Sequence, residues 1–121
     1  MKHLLVIDED PASRESFVSA FEDTDYEVVL VDSGEKGIET AQSTPCDLVF
    51  VDLALPDMNG AQTVRKLREL SETLPIFVMT TAQETSLHEL DHVRKKGLPF
   101  HLVRKPIGQI EMQALVYSVL G

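Results

Sequence analysis

The sequence predicts a single α/β domain over residues 1–121, with a doubly wound, five-stranded parallel sheet. Short apolar runs alternate five times with amphipathic stretches along the chain. The runs are continuously hydrophobic, which is typical of parallel strands that helices cover on both faces. At 121 residues the chain is too short for a closed eight-stranded barrel, so an open sheet is the expected architecture.

Each apolar run is predicted to be one strand of the sheet. The runs are residues 4–7, 28–31, 48–51, 76–79 and 100–103. Because right-handed crossovers join parallel strands, we expect the intervening helices to lie on both faces of the sheet. The carboxyl ends of the strands then form one edge, and this is the edge where open α/β sheets bind ligands.

The first predicted helix has both a start signal and an apolar stripe. Asp10 followed by Pro11 is typical of an N-cap and the first helical position. Phe17, Ala20 and Phe21 recur at helical spacing and predict the side that packs on the sheet.

The later helices carry similar signals. Ser33 is the predicted cap of the second helix, and the pair Asn59–Gly60 predicts a turn before the third. Val64, Leu67 and Leu70 form the stripe of the third helix. The apolar residues of the last helix spread wider than one stripe. Two interpretations of it stay open, namely a deeply packed helix or an exposed face for a dimer or another partner.

Composition argues against several function classes. Eleven Lys and Arg against twenty Asp and Glu give a net charge of −9, and such a field repels nucleic-acid phosphates and anionic membranes. No apolar run approaches the roughly 20 residues that cross a bilayer. The N-terminus carries no secretory signal, and the single Cys46 cannot form an internal disulfide. A cytoplasmic location is therefore expected.

The residues that follow the strands are chemically coherent. Asp8 and Glu9 follow the first run, Asp52 the third, the pair Thr80–Thr81 the fourth, and Lys105 the fifth. Three carboxylates in one place repel one another unless a cation compensates them, and Mg²⁺ prefers such oxygen ligands. With the ammonium group of Lys105 beside the metal, a phosphoryl group would meet positive charge on two sides. A carboxylate nucleophile would then form an aspartyl phosphate.

Four motifs in this order resemble response-regulator receiver domains of two-component signalling, and the resemblance covers the whole chain. They are Leu5–Pro11, Asp47–Gly60, Thr81–Ala82 and Lys105–Pro106. The resemblance implies a sheet of strand order 2-1-3-4-5. It also implies a Lys105–Pro106 peptide that is often cis.

Site roles follow from the resemblance. It implies that Asp52 accepts a phosphoryl group from a histidine kinase or a histidine phosphotransfer protein. Thr81 hydrogen-bonds the phosphoryl group, Lys105 pairs with it, and Leu102 occupies the place of a rotameric switch residue that is often Tyr or Phe. The expected consequence is altered binding to a downstream output protein or domain, with a homodimer through the last two helices as a further partner.

A metal site and three structural positions complete these expectations. The resemblance implies Mg²⁺, or Mn²⁺, held by Asp8, Glu9, Asp52 and the backbone carbonyl of Ala54. Glu9 stands where Asp is commoner, so its carboxylate reaches one methylene further. Structural roles are expected at three further residues, which are Pro56, Gly60 and Pro106. The chain is expected to modify only itself and not to be an enzyme for an external substrate.

Other classes of protein stay open as alternatives. A phosphohydrolase of the haloacid-dehalogenase type needs a second acid two residues after its nucleophile, where this chain has Ala54. A receiver-like interaction module that takes no phosphate is suggested by Glu9 and Leu102. The segment His88–His92 matches the H-E-x-x-H pattern of zinc proteases, but it is isolated, and solvated histidines are the simpler interpretation.

Overall fold

The computed structural model describes residues 1–81 and 87–121, and for residues 87 and 88 it describes the main chain only. Within these ranges five strands alternate with five helices. In chain order the elements are β1 (Lys2–Ile7), α1 (Pro11–Phe21), β2 (Tyr26–Val31), α2 (Gly34–Ser43), β3 (Leu48–Asp52), α3 (Gly60–Leu70), β4 (Ile76–Thr80), α4 (Leu87–Lys95), β5 (His101–Arg104) and α5 (Gln109–Leu120). None of these described helices has the length and apolar character needed to span a bilayer.

All strand pairs are parallel, and the order across the sheet is β2-β1-β3-β4-β5. The predicted fold class and strand order are confirmed. The register aligns Ile7 with Val51, Asp52 with Met79, and Thr80 with Arg104. The carboxyl ends of the strands therefore finish together, which brings residues from distant parts of the sequence to one edge.

Two hydrophobic clusters cover the two faces of the sheet. Phe17 of α1 packs against Phe50 of β3, with ring centroids 4.8 Å apart, and Val116 of α5 belongs to the same cluster. The opposite cluster includes Leu67 of α3 and Val93 of α4. Burying apolar surface on both faces stabilises the central strands and makes them a rigid base for the residues at their ends.

The expectation that every strand is buried on both faces is wrong at the sheet edges. Strands β3 and β4 are buried along their whole length, but β2 is only partly buried, and β5 exposes all its residues except Val103. The physical reason is that an edge strand has a neighbour on one side only, and β5 has four residues. Phe100, predicted to be in the strand, lies just before it.

The predicted helix signals are mostly confirmed. The side chain of Asp10 accepts a hydrogen bond from the backbone N of Ala12 at 3.0 Å, and Ser33 caps α2. Asn59 forms a capping box with Gln62 at the start of α3. Leu70, placed in the core stripe, is instead exposed because it lies in the last turn of the helix.

The last helix is packed on one side and exposed on the other, and a dimer or partner contact through the exposed side stays a prediction. Met112 and Val116 are buried against the sheet. Ile110 is 83% exposed, and Tyr117 and Val119 are also exposed. The apolar side chains of α5 therefore lie partly in the core and partly at the solvent-exposed surface.

Candidate functional site

Asp8, Asp52 and Lys105 meet at the carboxyl edge of the sheet. The Nζ atom of Lys105 lies 3.0 Å from Oδ2 of Asp8 and 2.9 Å from Oδ2 of Asp52. Asp8 is fully buried and Asp52 is 7% exposed. One ammonium group therefore bridges two buried carboxylates that come from the ends of β1 and β3.

The remaining polar atoms of Asp8 are also hydrogen-bonded. Its Oδ1 accepts from the backbone N of Asp10 at 3.0 Å, and its own N donates to the carbonyl of Val31 at 3.0 Å. Its carbonyl oxygen accepts from Nη1 of Arg14 at 2.8 Å. The Asp8 residue is thus fixed through both its main chain and its side chain.

The Asp52 carboxylate is held by the loop that follows it. Its Oδ1 accepts from the backbone N of Ala54 at 3.0 Å. The next residue, Leu53, donates through its N to the carbonyl of Met79 and accepts at its carbonyl from the N of Gly60. These bonds tie the end of β3 to β4 and to the first turn of α3, so the carboxylate has a defined direction.

Lys105 is positioned by its backbone as well as by the carboxylates. Its N donates to the carbonyl of Thr80 at 2.7 Å, which continues the pairing of β5 with β4. The Lys105–Pro106 peptide is cis, as the sequence resemblance implied. The ammonium group is consequently delivered to the same edge of the sheet as Asp8 and Asp52.

Burial and charge act in opposite directions on the pKa values of this site. Burial raises the pKa of Asp52 above its usual 3.8, and hydrogen bonds from Lys105 and a backbone N–H offset this only in part. Burial also acts to raise the pKa of Asp8, but hydrogen bonds from Ser13, a backbone N–H and Lys105 outweigh it, so that pKa is lowered. Burial lowers the pKa of Lys105, yet the two carboxylates more than reverse that and raise it.

The three-carboxylate cluster expected from the sequence does not form in this structure. Glu9 is exposed, and among the described residues there is no group of three or more His, Cys, Asp or Glu side chains arranged to hold a metal ion. The physical reason is that Lys105 already compensates Asp8 and Asp52, whereas the longer Glu9 side chain stays hydrated. The metal role of Glu9 stays a prediction.

The oxygen atoms of Asp8 and Asp52 nevertheless fit Mg²⁺. This ion is commonly held by one or two carboxylates and keeps several of its waters. Two buried carboxylates that share one ammonium group leave a net negative charge for a cation to compensate. Ala54 is exposed beside them, and the contribution of its carbonyl stays a prediction.

Thr81 and Lys105 line a cleft next to the carboxylates. The cleft has a volume of about 400 Å³ and lies between α1 and the start of α5. Thr81 is exposed, whereas Thr80 is buried and its hydroxyl donates to the carbonyl of Thr81 at 3.0 Å. The choice of Thr81 over Thr80 therefore agrees with access to the cleft. Ala82 lies outside the described residues.

Several other predicted residues are exposed to solvent. Leu102 is 47% exposed on the edge strand β5, and Pro56 is exposed in the loop after β3. In the H-E-x-x-H segment, His92 is exposed, as expected of a solvated histidine, and the side chain of His88 lies outside the described residues. Glu89 of that segment accepts a hydrogen bond from the side-chain amide of Asn59.

Two supporting residues were not identified from the sequence. Arg14 binds the Asp8 carbonyl, and the carboxylate of Asp57 accepts from the backbone N of Gly34 and of Glu35 at the start of α2. An arginine six residues after Asp8 could have been noticed, because a side chain in the first turns of α1 can reach back to the end of β1. Asp57 gives no comparable signal, since its partners are 22 and 23 residues away.

The model of one protein family, described as the response regulator receiver domain, matches residues 4–117. The chain belongs to this family. Among its relatives, the transcriptional regulatory protein CiaR of Streptococcus pneumoniae is 34% identical over 120 residues, which are 99% of this chain and 51% of that protein. The response regulator receiver protein CpdR of Brucella abortus is 30% identical over 92% of this chain and 95% of its own length. The family predicted from the four motifs is confirmed.

The receiver domain spans about half the length of CiaR and of CusR from Escherichia coli. Solved structures agree with the fold. The chemotaxis protein CheY4 of Vibrio cholerae has a TM-score of 0.83 at 24% identity, with 99% of each chain covered. A CheY-like receiver domain from Methanospirillum hungatei has a TM-score of 0.85 at 22% identity, covering 98% of this chain and 92% of that one.

Proposed function

We propose that Asp52 accepts a phosphoryl group, in a reaction that depends on Mg²⁺ or Mn²⁺, and that this modification changes which partner the receiver domain binds. The observation that carries the proposal is the ammonium group of Lys105 held between two buried carboxylates. A cation in this place compensates charge on an incoming phosphoryl group. The donor is the phosphohistidine of a histidine kinase or of a histidine phosphotransfer protein.

The transfer step balances without a further reagent. An oxygen atom of the Asp52 carboxylate attacks phosphorus and an O–P bond forms. The P–N bond of a phosphohistidine protonated at its other ring nitrogen breaks, its electron pair stays on nitrogen, and a neutral imidazole leaves. The product is an acyl phosphate on Asp52. Later hydrolysis by water releases inorganic phosphate and restores the carboxylate. The receiver domain thus modifies itself and is not an enzyme for an external substrate.

Asp8 and Asp52, with Glu9 and the Ala54 carbonyl, would hold the metal ion. A bound Mg²⁺ would add positive charge to that of Lys105 and would compensate charge on the phosphoryl oxygens. Burial raises the pKa of Asp52, so its ionised form is less favoured in the folded protein than in an unfolded chain. A second cation favours that ionised, nucleophilic form, and this is why we propose that the reaction depends on metal.

The output belongs to the same proposal. Thr81 hydrogen-bonds the phosphoryl group from its place in the cleft, and the surface around β5, with Leu102 exposed on it, changes its affinity for a partner. The partner is an output protein or domain, or a second copy through α4 and α5. The net charge of −9 disfavours direct binding to nucleic acid or to anionic membranes. A cytoplasmic location accords with these partners.

Intact mass spectrometry tests the modification. The protein is incubated with phosphoramidate, a small phosphodonor, with Mg²⁺ or with excess EDTA. We expect the mass of one added phosphoryl group with Mg²⁺, little or none with EDTA, and none in Asp52→Asn.

Asp23→Asn is the matched control, because it makes the same chemical change at an exposed residue between α1 and β2 and leaves Asp52 intact. This variant should be phosphorylated as the wild-type protein is. An adduct that persists in Asp52→Asn would contradict the proposed acceptor. Absence of any adduct with both Mg²⁺ and Mn²⁺ would favour an interaction module that takes no phosphate.

A further inference from the structure

The peptide bond between Asp8 and Glu9 is held by a side chain of α1. Strand β1 ends at Ile7, so the carbonyl oxygen of Asp8 lies beyond the last residue of the strand. Nη1 of Arg14 donates to this carbonyl at 2.8 Å, a charge-assisted bond stronger than one between neutral groups. Arg14 itself is anchored in the helix, because its backbone N donates to the carbonyl of Asp10 at 3.1 Å.

This contact lies on the chain that carries two of the proposed metal ligands. The bonded carbonyl belongs to Asp8, and the next Cα along the chain is that of Glu9. The Asp8 carboxylate is fixed by bonds from the backbone N of Asp10 and from Nζ of Lys105, whereas the main-chain carbonyl of Asp8 accepts from the side chain of Arg14. Of these bonds, the one from Arg14 is the one that holds the peptide leading from Asp8 to Glu9.

We propose that Arg14 is a positioning residue for the metal site, because it holds the peptide at the end of β1 that joins the two proposed ligands Asp8 and Glu9. The inference rests on the function proposed above. Residues that orient metal ligands through hydrogen bonds change metal affinity by about 10- to 100-fold when they are substituted. Arg14 acts through Asp8 and Glu9 and touches neither the metal nor the phosphoryl group.

Electrostatics alone predicts the opposite effect, and this makes the role testable. The guanidinium group of Arg14 is positively charged and repels a cation at the proposed site. If charge repulsion were its only effect, removing this group would strengthen Mg²⁺ binding. Lys36 offers a matched comparison. It lines the same small cleft as Arg14, and its Nζ pairs with Asp32 at 3.1 Å rather than with Asp8. Substituting either residue by Met removes one positive charge and retains an unbranched apolar stem.

The experiment measures Mg²⁺ affinity by isothermal titration calorimetry at fixed ionic strength. For Arg14→Met we expect binding about tenfold weaker than in the wild-type protein. For Lys36→Met we expect unchanged or slightly tighter binding. Arg14→Lys keeps the charge but loses the planar guanidinium donor, so its affinity should lie between those of the wild type and Arg14→Met. This last variant also carries the test if Arg14→Met does not fold.

Phosphorylation kinetics supply a second readout. With increasing Mg²⁺, Arg14→Met should need about tenfold more metal for half-maximal rate and should regain the wild-type rate at saturation. Equal Mg²⁺ affinity in Arg14→Met and the wild type would overturn the positioning role and leave the proposed function intact. A wild-type protein that binds no Mg²⁺ would contradict the metal dependence itself, and the role of Arg14 with it.

Discussion

Asp52 is a carboxylate in a place that does not favour its charge. Burial raises its pKa, the nearby Asp8 carboxylate adds to the effect, and Lys105 does not fully compensate it. The folded protein therefore binds a proton at Asp52 more tightly than the unfolded chain does. Ionising Asp52 consequently costs stability, which a protein tolerates where the ionised group is needed for chemistry.

Asp52→Asn should stabilise the protein at neutral pH, because the amide keeps the shape of the side chain without the charge that burial disfavours. The sign follows from the raised pKa. The stability contributed by protonated Asp52 is present below pH 3.8 and is lost as the pH rises through the folded-state pKa. The advantage of the Asn variant should therefore be small near pH 3.8, grow as the pH rises and then level off. Urea unfolding between pH 3.5 and about pH 8 in EDTA measures it.

Asp57→Asn is expected to change stability with the opposite sign. Burial acts to raise the pKa of Asp57, but the hydrogen bonds from the backbone N of Glu35 and of Gly34 outweigh it, so the pKa is lowered. The stability that this carboxylate contributes is present above pH 3.8 and is lost as the pH falls. Its Asn variant should be less stable at neutral pH and similar to the wild type in acid. Equal effects of the two substitutions would contradict the difference in environment.

The location of some site residues could be predicted from their position in the sequence, and the location of others could not. Asp8, Asp52 and Lys105 could be predicted because each directly follows a buried strand, and parallel strands end at a common edge. Glu9 could not be placed in this way, because its side chain is long and exposed to solvent. For Arg14 the sequence offers only the spacing of six residues from Asp8, which does not by itself give the direction of the side chain.

At the scale of the elements, the approach of α3 to β3 fixes the loop that carries Asp52. A Cβ atom at Gly60 would lie 2.6 Å from Cα of Leu53 and 2.9 Å from the carbonyl oxygen of Asp52. Both contacts are with backbone atoms, which cannot move aside as a flexible side chain can. Gly60 is therefore required by a close approach of two backbones, which is the structural role expected for it.

Gly60→Ala should destabilise the protein by about 2 kcal/mol, because the added methyl group forces the start of α3 away from β3. It should also slow phosphorylation of Asp52 by moving the peptide on which that residue sits. Thermal unfolding and the rate of adduct formation at saturating Mg²⁺ measure the two effects.

Gly108→Ala is the control for this substitution. Gly108 has a φ of −70°, and a Cβ atom there would meet nothing within 4 Å. Because Gly108 is the N-cap of α5 and Ala caps less well than Gly, a loss of stability up to about 1 kcal/mol is expected, with an unchanged phosphorylation rate. Comparable losses in the two variants would show that the effect at Gly60 comes from backbone flexibility rather than from contact with β3.

The capping residues predicted correctly where the helices begin, whereas the apolar runs predicted the burial of the strands only in part. Asp10, Ser33 and Asn59 each cap the helix that follows, because a capping hydrogen bond is local and depends on residues two or three positions apart. The exposure of Leu102 was not predictable in the same way. It depends on β5 being an edge strand, which strand order decides and the hydrophobicity of one segment does not.

At the scale of the whole molecule, the strand order brings the site residues together, and the net negative charge favours a cation at the site. Residues 8, 52 and 105 are far apart in sequence, and only the order β2-β1-β3-β4-β5 makes their strands near neighbours. Folding therefore concentrates two carboxylates that the unfolded chain keeps apart, within a protein of net charge −9. A divalent cation that binds this pair binds the folded state and not the unfolded one.

Mg²⁺ should accordingly stabilise the wild-type protein. At a free concentration about 100 times the dissociation constant, the gain is about 2.7 kcal/mol, and the melting temperature should keep rising with the logarithm of the concentration. Asp52→Asn should gain less, because it lacks one of the two buried carboxylates. Thermal unfolding over a series of Mg²⁺ concentrations provides both curves.

Screening must be separated from binding in that measurement, because any salt weakens repulsion within a protein of this net charge. A parallel series in NaCl at matched ionic strength gives the screening contribution, which should be similar for the wild type and for Asp52→Asn. The difference between the Mg²⁺ and NaCl series is the contribution of binding, and it should be larger for the wild type. If the two proteins gained equally from Mg²⁺ after this correction, the ion would be acting on the surface field and not at the carboxylates that the sheet brings together.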